Sequence, residues 1–252
     1  MSDSALITRL RSAGCVFAED EVRVLLTAAR SSEELEAMVA RRVAGIPLEH
    51  VVGWVEFCGL RVAVEPGVFV PRRRTEFLAR QAASLAFPGA LVVDLCCGSG
   101  AVGAAVADAV DGIEVHATDV DPAAVRCARR NLTRVYRGDL FEPLPTALQG
   151  RVNVLVTNTP YVPTDAVALM PPEARDHEPH IALDGGADGL DVQRRVAAEA
   201  RQWLAQGGSV LVEASEAQAP ASAAAFARHG LNTRIALCEE SQSTVVIGRA
   251  ES

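Results

Sequence analysis

The sequence contains no lysine; all 24 of its basic residues are arginine. Against 32 acidic residues this leaves a formal net charge of −8, and an acidic chain has no general attraction for phosphate backbones. Direct nucleic-acid binding is therefore not expected. The basic triplet Arg72-Arg73-Arg74 reads as a solvated helix start. Arginine without lysine, in a chain rich in Ala and Val, points to a GC-rich genome rather than to a functional demand. No apolar run approaches the roughly 18 residues of a membrane helix, so no membrane partner is expected. The start, Met1-Ser2-Asp3-Ser4, lacks the basic-then-apolar order of a signal peptide. The six cysteines (15, 58, 96, 97, 127 and 238) form no CxxC pair and no spaced Cys/His cluster, so no metal site is expected and the compartment is read as the reducing cytoplasm. At 49% hydrophobic and 22% charged, the 252 residues exclude a mainly disordered chain.

Three stretches differ in period. Over residues 1–51, Leu6 and Leu10, then Val22, Leu25 and Leu26, then Leu35, Met38, Val39 and Val43 fall at helical spacing. Gly45-Ile46-Pro47 is expected to end this helical domain, which is too small for a sturdy core of its own. Over 52–73, Val55, Phe57, Leu60, Val62, Val64, Val68 and Val70 alternate, predicting a β-hairpin linker with its turn at Glu65-Pro66-Gly67. From 74 to 252 a helix (75–86) is followed by strands near 90–95, 114–118, 135–137, 152–157 and 209–213, with helices between them. The last two strands, 232–237 and 244–248, have no helix between them, which implies an antiparallel final pair. Such alternation predicts an α/β domain with a doubly wound, mostly parallel sheet. A long irregular stretch at 158–187, rich in Pro, Gly and Asp, has the length of a functional loop.

In such sheets the ligand sits at the carboxyl ends of the strands. The first strand ends in Asp94-Leu95-Cys96-Cys97-Gly98-Ser99-Gly100, and Asp119, 21 residues beyond Gly98, ends the second. Glycines let the backbone approach a ligand, and a carboxylate at 119 can accept hydrogen bonds from both ribose hydroxyls. NAD and S-adenosylmethionine both carry that ribose. The literal GxGxxG at 98–103 favours a dinucleotide, but alone it is weak. Asp94 would repel a pyrophosphate and suits a sulfonium with its α-amino group, which favours S-adenosylmethionine.

The fourth strand runs into Asn158-Thr159-Pro160-Tyr161. The chemistry that suits this tetrapeptide is methylation of a planar NH2, whose delocalised lone pair makes it a poor nucleophile. A side-chain oxygen and a backbone carbonyl that accept its two protons hold it in place and favour developing sp3 character. Tyr161 could stack on the flat group. Taken alone, the tetrapeptide reads more simply as an Asx-type turn with a core tyrosine; beside the loop and Asp119 the methylation reading prevails.

With these residues in hand, the sequence resembles the HemK/PrmC family of release-factor glutamine methyltransferases over residues 40–249. The resemblance is carried in order by Arg42 to Leu48, Gly53-Trp54-Val55-Glu56-Phe57, Phe69-Val70-Pro71-Arg72 with Thr75-Glu76, the 94–100 loop, Asp119, Asp139 and 158–161. Its most specific part is Glu173-Ala174-Arg175-Asp176-His177-Glu178-Pro179 with 182–190. It implies a class I methyltransferase with a seven-stranded sheet behind a helical domain that helps grip the protein substrate. The implied reaction is methylation, by S-adenosylmethionine, of a glutamine amide in the Gly-Gly-Gln loop of a peptide-chain release factor. Carried over, Asp94, Cys96, Cys97, Gly98, Ser99, Gly100, Asp119, Asp139, Leu140 and Asn158 would hold the cofactor. Asn158, Thr159, Pro160 and Tyr161 would hold the substrate, with Asn158 and Tyr161 catalytic.

The chain departs from the family pattern at Thr159 (proline in the family), at Cys96 (glycine), and at Arg73-Arg74 within Pro-Arg-Pro-Asp/Glu-Thr. It also has a helical domain shorter by about two helices. Cys96 is expected to hold the backbone farther off or to impose another dihedral. Competing readings are an adenine or other amino-group methyltransferase, a dinucleotide oxidoreductase, and a non-catalytic paralogue that binds a partner. The first would call for a basic face or a target-recognition domain, neither of which the sequence displays.

Overall fold

The computed structural model describes residues 2–251. Its first helices follow the apolar spacing: α1 (Asp3–Ser12), α2 (Ala18–Ala28) and α3 (Ser32–Val43) bury Leu6, Leu10, Val22, Leu25 and Val39 in a small core of their own. Ser31 caps α3 by accepting the N–H of Glu34. The helical part does not end at 45–47. Pro47 instead opens a further short helix, α4 (Leu48–Val52), because a fixed φ near −65° suits helix entry as well as exit.

The hairpin turns elsewhere than at the expected proline. Strands β1 (Trp54–Phe57) and β2 (Leu60–Ala63) are joined through Cys58 and Gly59, with φ of +51° and +79°. A two-residue turn with both φ positive matches the right-handed strand twist. Residues 65–67 form a separate bend outside the hairpin, closed by the Val68 N–H on the Glu65 carbonyl at 3.1 Å.

Beyond helix α5 (Glu76–Leu85) the alternation becomes one sheet. In chain order its elements are β3 (Leu91–Leu95), α6 (Ala101–Ala109), β4 (Glu114–Asp119), α7 (Pro122–Ala128), β5 (Val135–Arg137), β6 (Val152–Thr157), α8 (Pro172–His177), α9 (Asp191–Trp203), β7 (Leu204–Ala214), α10 (Ala219–Arg228), β8 (Leu231–Cys238) and β9 (Ser243–Ala250). The seven strands lie in the order β5-β4-β3-β6-β7-β9-β8, parallel except for β9, which runs antiparallel to both neighbours. Leu95, Leu155, Val210 and Val212 meet Trp203 and Phe226 on one face, while Val92, Val154, Val156 and Leu211 meet Leu78, Val102 and Val106 on the other. Strands buried on both faces read as continuous apolar runs, as these do.

The register decides where the site falls. Leu95 pairs with Thr118 on one side and Thr157 on the other, and Asp119 pairs with Arg137. The loops after β3, β4, β5 and β6 therefore emerge side by side, where the chain switches from building the sheet in one direction to building it in the other.

Candidate active site

A cavity of about 300 Å3 opens at that edge. The sequence-predicted residues Asp94, Cys96, Cys97, Gly98, Ser99, Asp119, Asp139, Leu140, Asn158, Thr159, Pro160 and Tyr161 all line it. Gly100 does not; it stands at the start of α6 with φ of +79°.

Buried threonines stitch the strand ends together. The Thr157 hydroxyl donates to the Leu95 carbonyl at 2.8 Å and that of Thr118 to the Leu140 carbonyl at 2.8 Å. The glycine loop closes on the two acids. Asp119 accepts the N–H of Gly98 and that of Asp121, both at 2.9 Å, and Asp94, 1% exposed, accepts the N–H of Gly103 at 2.9 Å. Burial pushes the Asp94 carboxyl up to about 7, against the pull of that N–H and with a smaller push from Asp119. Burial raises Asp119 as well. Cys96 departs from its expectation. Its φ is +52°, the left-handed region that favours glycine, because the bonds of Cys97 to Thr118 and of Gly98 to Asp119 fix the loop on the neighbouring strand β4. Across the cavity, Arg195 donates to Asp139 at 2.5 Å.

The 158–161 segment is built differently. The Asn158 side-chain oxygen and the Thr159 hydroxyl are buried and have no hydrogen-bond partner among the described residues; the same holds for the Ser99 hydroxyl and one oxygen of Glu213. The Asn158 nitrogen reaches the Thr75 hydroxyl at 3.4 Å. The irregular stretch braces this segment from behind: Val162 exchanges backbone bonds with Leu183 (3.0 Å) and Gly185 (2.8 Å). A Cβ at Gly189, whose φ is +77°, would stand 2.2 Å from the Tyr161 carbonyl oxygen, so that approach requires glycine.

Several contributors escaped sequence reasoning. The basic triplet does open a helical turn ahead of α5, with Arg73 and Arg74 exposed, but Arg72 and Arg74 do more than face solvent. Arg72 donates to Glu178 at 2.6 Å, and Glu178 also takes the Val70 N–H at 3.1 Å. Arg74 donates to the Tyr161 hydroxyl at 2.5 Å and reaches Glu213 at 3.3 Å. Asn131 bonds both backbone groups of Ala63 at 3.0 Å and the Ser99 carbonyl at 2.8 Å, tying hairpin to loop. A carboxylate at 213 inside an otherwise apolar strand was the one local signal available.

The donor set of the cavity suits S-adenosylmethionine. The buried Asp94 complements the sulfonium and ammonium charges, the partly buried Asp119 faces the cavity for a ribose, and the unpartnered Ser99 hydroxyl leaves polar capacity in the loop. The residues fit the group. Fold and site together define a class I S-adenosylmethionine-dependent methyltransferase.

Comparison with known proteins narrows this. A family model described as the methyltransferase small domain matches residues 59–170. The chain is 38% identical over 207 residues to a release factor glutamine methyltransferase of Geobacter sulfurreducens, covering 79% of this chain and 72% of that one. It is 41% identical over 191 residues to one of Streptomyces coelicolor, covering 72% and 67%. A solved methyltransferase from Pyrococcus furiosus superposes with a TM-score of 0.59 at 17% identity over 77% of this chain and 90% of that one, a likeness of fold. The chain belongs to the release factor glutamine methyltransferase family. Among the described residues, no helix is long and apolar enough to cross a membrane.

Proposed function

We propose that this enzyme methylates the side-chain amide nitrogen of a protein glutamine, in the Gly-Gly-Gln loop of a peptide-chain release factor. The observation that carries this reading is the Asn158 side-chain oxygen, buried and unpartnered in the wall of the cavity that holds Asp94 and Asp119. A buried acceptor without a donor is costly in the free protein, about 1–3 kcal/mol, and a glutamine NH2 supplies the missing donor.

On this reading Asp119 receives the ribose hydroxyls, Asp94 faces the cationic end, and the loop at 96–100 with Asp139 and Leu140 encloses the cofactor. When bound, S-adenosylmethionine supplies an electrophilic methyl group on a sulfonium. Asn158 accepts one amide proton and the Thr159 carbonyl the other, turning the nitrogen lone pair out of conjugation. An amide oxygen is too weak a base to keep a proton, so the proton released from nitrogen passes on to water. Phe69 and Pro71, from the linker, wall the cavity.

We assign residues 1–51 to orienting the protein substrate, 52–73 to the linker and 74–252 to catalysis. The buried Arg42 supports coupling between the first and last of these: it pairs with Glu21 at 2.6 Å and with Glu173 of α8, within the irregular stretch, at 2.7 Å. Six free cysteines suit a reducing cytoplasm. The test is mass spectrometry of the Gly-Gly-Gln peptide after incubation of an intact release factor with enzyme and cofactor. A methyl group on that glutamine is expected. An unmodified glutamine beside another labelled protein in a cell extract would overturn the substrate.

A further inference from the structure

We propose that Arg74 is a positioning residue of the acceptor site, locking Tyr161 through Glu213 so that the 158–161 segment presents Asn158 in one geometry. The inference rests on the acceptor role assigned above to that segment.

Glu213 projects from the interior strand β7 with its side chain 3% exposed. An isolated buried carboxylate is expensive, and among the described residues Arg74 is the one cation paired with it. The same Glu213 oxygen accepts the Tyr161 hydroxyl at 3.0 Å, and that hydroxyl accepts Arg74 at 2.5 Å. Guanidinium, phenol and carboxylate thus close a ring of three bonds. The guanidinium carbon lies 5.7 Å from the centre of the Tyr161 ring, inside cation–π range. At its other end, the Tyr161 carbonyl takes the Gln218 side-chain amide at 2.9 Å. Tyr161 is therefore fixed at both ends.

The residue next to Arg74 holds the other end of the segment, since Thr75 is the partner of the Asn158 amide nitrogen. Two adjacent residues of the linker-to-α5 junction thus grip both ends of the four-residue acceptor segment. Arg74 lines the cavity yet is half-exposed, so it can be replaced with little loss of packing, while Glu213 cannot be left alone.

The test compares Arg74→Met, Arg74→Lys, Glu213→Gln and the double variant Arg74→Met/Glu213→Gln in the full chain. Cofactor Kd is read by calorimetry, and kcat and KM on the methyl acceptor. Fluorine NMR is read on protein carrying fluorotyrosine, whose two tyrosines, 136 and 161, give two resonances. Arg74→Met is expected to lower kcat about tenfold through lost alignment, to leave cofactor Kd within about twofold, and to move the Tyr161 resonance but not that of Tyr136. Arg74→Lys keeps the charge without the fork and should fall between. The double variant should recover most of the activity, because a neutral partner needs no cation. A double variant no better than Arg74→Met, or an Arg74→Met enzyme with unchanged kcat and an unmoved Tyr161 resonance, overturns the inference. Should Arg74→Met not fold, a Tyr161 resonance and kcat unchanged in both Arg74→Lys and Glu213→Gln do the same. If the wild type leaves a release factor unmodified, the substrate assignment falls. The resonance, and kcat on whichever acceptor is labelled, still decide the role of Arg74.

Discussion

The two halves of the cavity are held by different means. The cofactor half closes on itself: Asp94 and Asp119 bond backbone N–H groups only 9 and 21 residues away, within one βαβ unit. The acceptor half is held from afar. Asn158 and Tyr161 depend on Thr75, Arg74, Glu213 and Gln218, between 52 and 87 residues distant. The cofactor half has both its acids bonded before any ligand arrives and leaves one hydroxyl, that of Ser99, open, whereas the acceptor half leaves both the Asn158 oxygen and the Thr159 hydroxyl unpartnered. A local loop can be preorganised by its own turns; a site that must also admit a protein loop has to be assembled from several elements and keeps its hydrogen-bonding capacity open.

The sharpest way to separate the halves is Asn158→Ala. It removes the acceptor oxygen and no part of the cofactor loop. We expect kcat to fall by about 10²–10³, the scale of losing one preorganised transition-state partner, while cofactor affinity stays near that of the wild type. Single-turnover rates with calorimetry check this; a rate within a few-fold of wild type would assign Asn158 to the turn alone.

The converse variant is Asp119→Ala. It removes charge-assisted bonds to the ribose and releases the Gly98 and Asp121 N–H groups. Cofactor binding should weaken by about 1.5–3 kcal/mol, with a smaller change in kcat at saturating cofactor. Calorimetry showing unchanged affinity would break the division of labour drawn here.

The same contrast explains what was legible in the sequence. The cofactor half was readable because its partners lie within one strand-helix-strand unit, in a fixed order of glycine loop and strand-end acid. The sheet was readable because β3, β6 and β7 are runs of Val and Leu that only a buried strand accommodates. Arg74 was not, since nothing local tells the partner of a buried carboxylate from a solvated charge, and Glu213 offered only its place in an apolar strand, with no sign of its partner. The hairpin turn was misplaced because Pro66-Gly67 is a stronger local turn signal than Cys58-Gly59, and only the strand register shows which of them reverses the chain. Cys96 was misjudged because its dihedral is imposed by bonds from β4, not by its own preference.

The charge of Asp94 gives a pH test within the cofactor half. Its carboxyl, at about 7 in the fold, lies above the ordinary value of about 3.9, so the folded chain binds more protons than the unfolded chain between those values. Stability of the unliganded enzyme should therefore fall as pH rises from about 4 to about 7 and level off beyond. A cationic ligand favours the charged carboxylate. Cofactor affinity should thus increase with pH toward 7, by at most about tenfold per unit, measured below the α-amino range near 7.7. Asp94→Asn should flatten most of that slope, leaving the share carried by Asp119, which burial raises in the same direction. A slope unaltered by Asp94→Asn would place the titration elsewhere.

The smallest effect tests whether the cofactor loop imposes its shape on Cys96. A left-handed φ costs a residue with a Cβ roughly 1–2 kcal/mol, and glycine escapes that cost but adds freedom to the unfolded chain. Cys96 also packs partly against the core, so any truncation loses some apolar contact. Cys96→Ala keeps the strained dihedral and loses the sulfur. Cys96→Gly loses both the sulfur and the strain. We expect Cys96→Gly to be the more stable of the two by about 1 kcal/mol and to lie near the wild type in denaturant unfolding. If Cys96→Ala proves the more stable, the loop relaxes out of the left-handed region when it can, and the bonds from Thr118 and Asp119 do not dictate its shape.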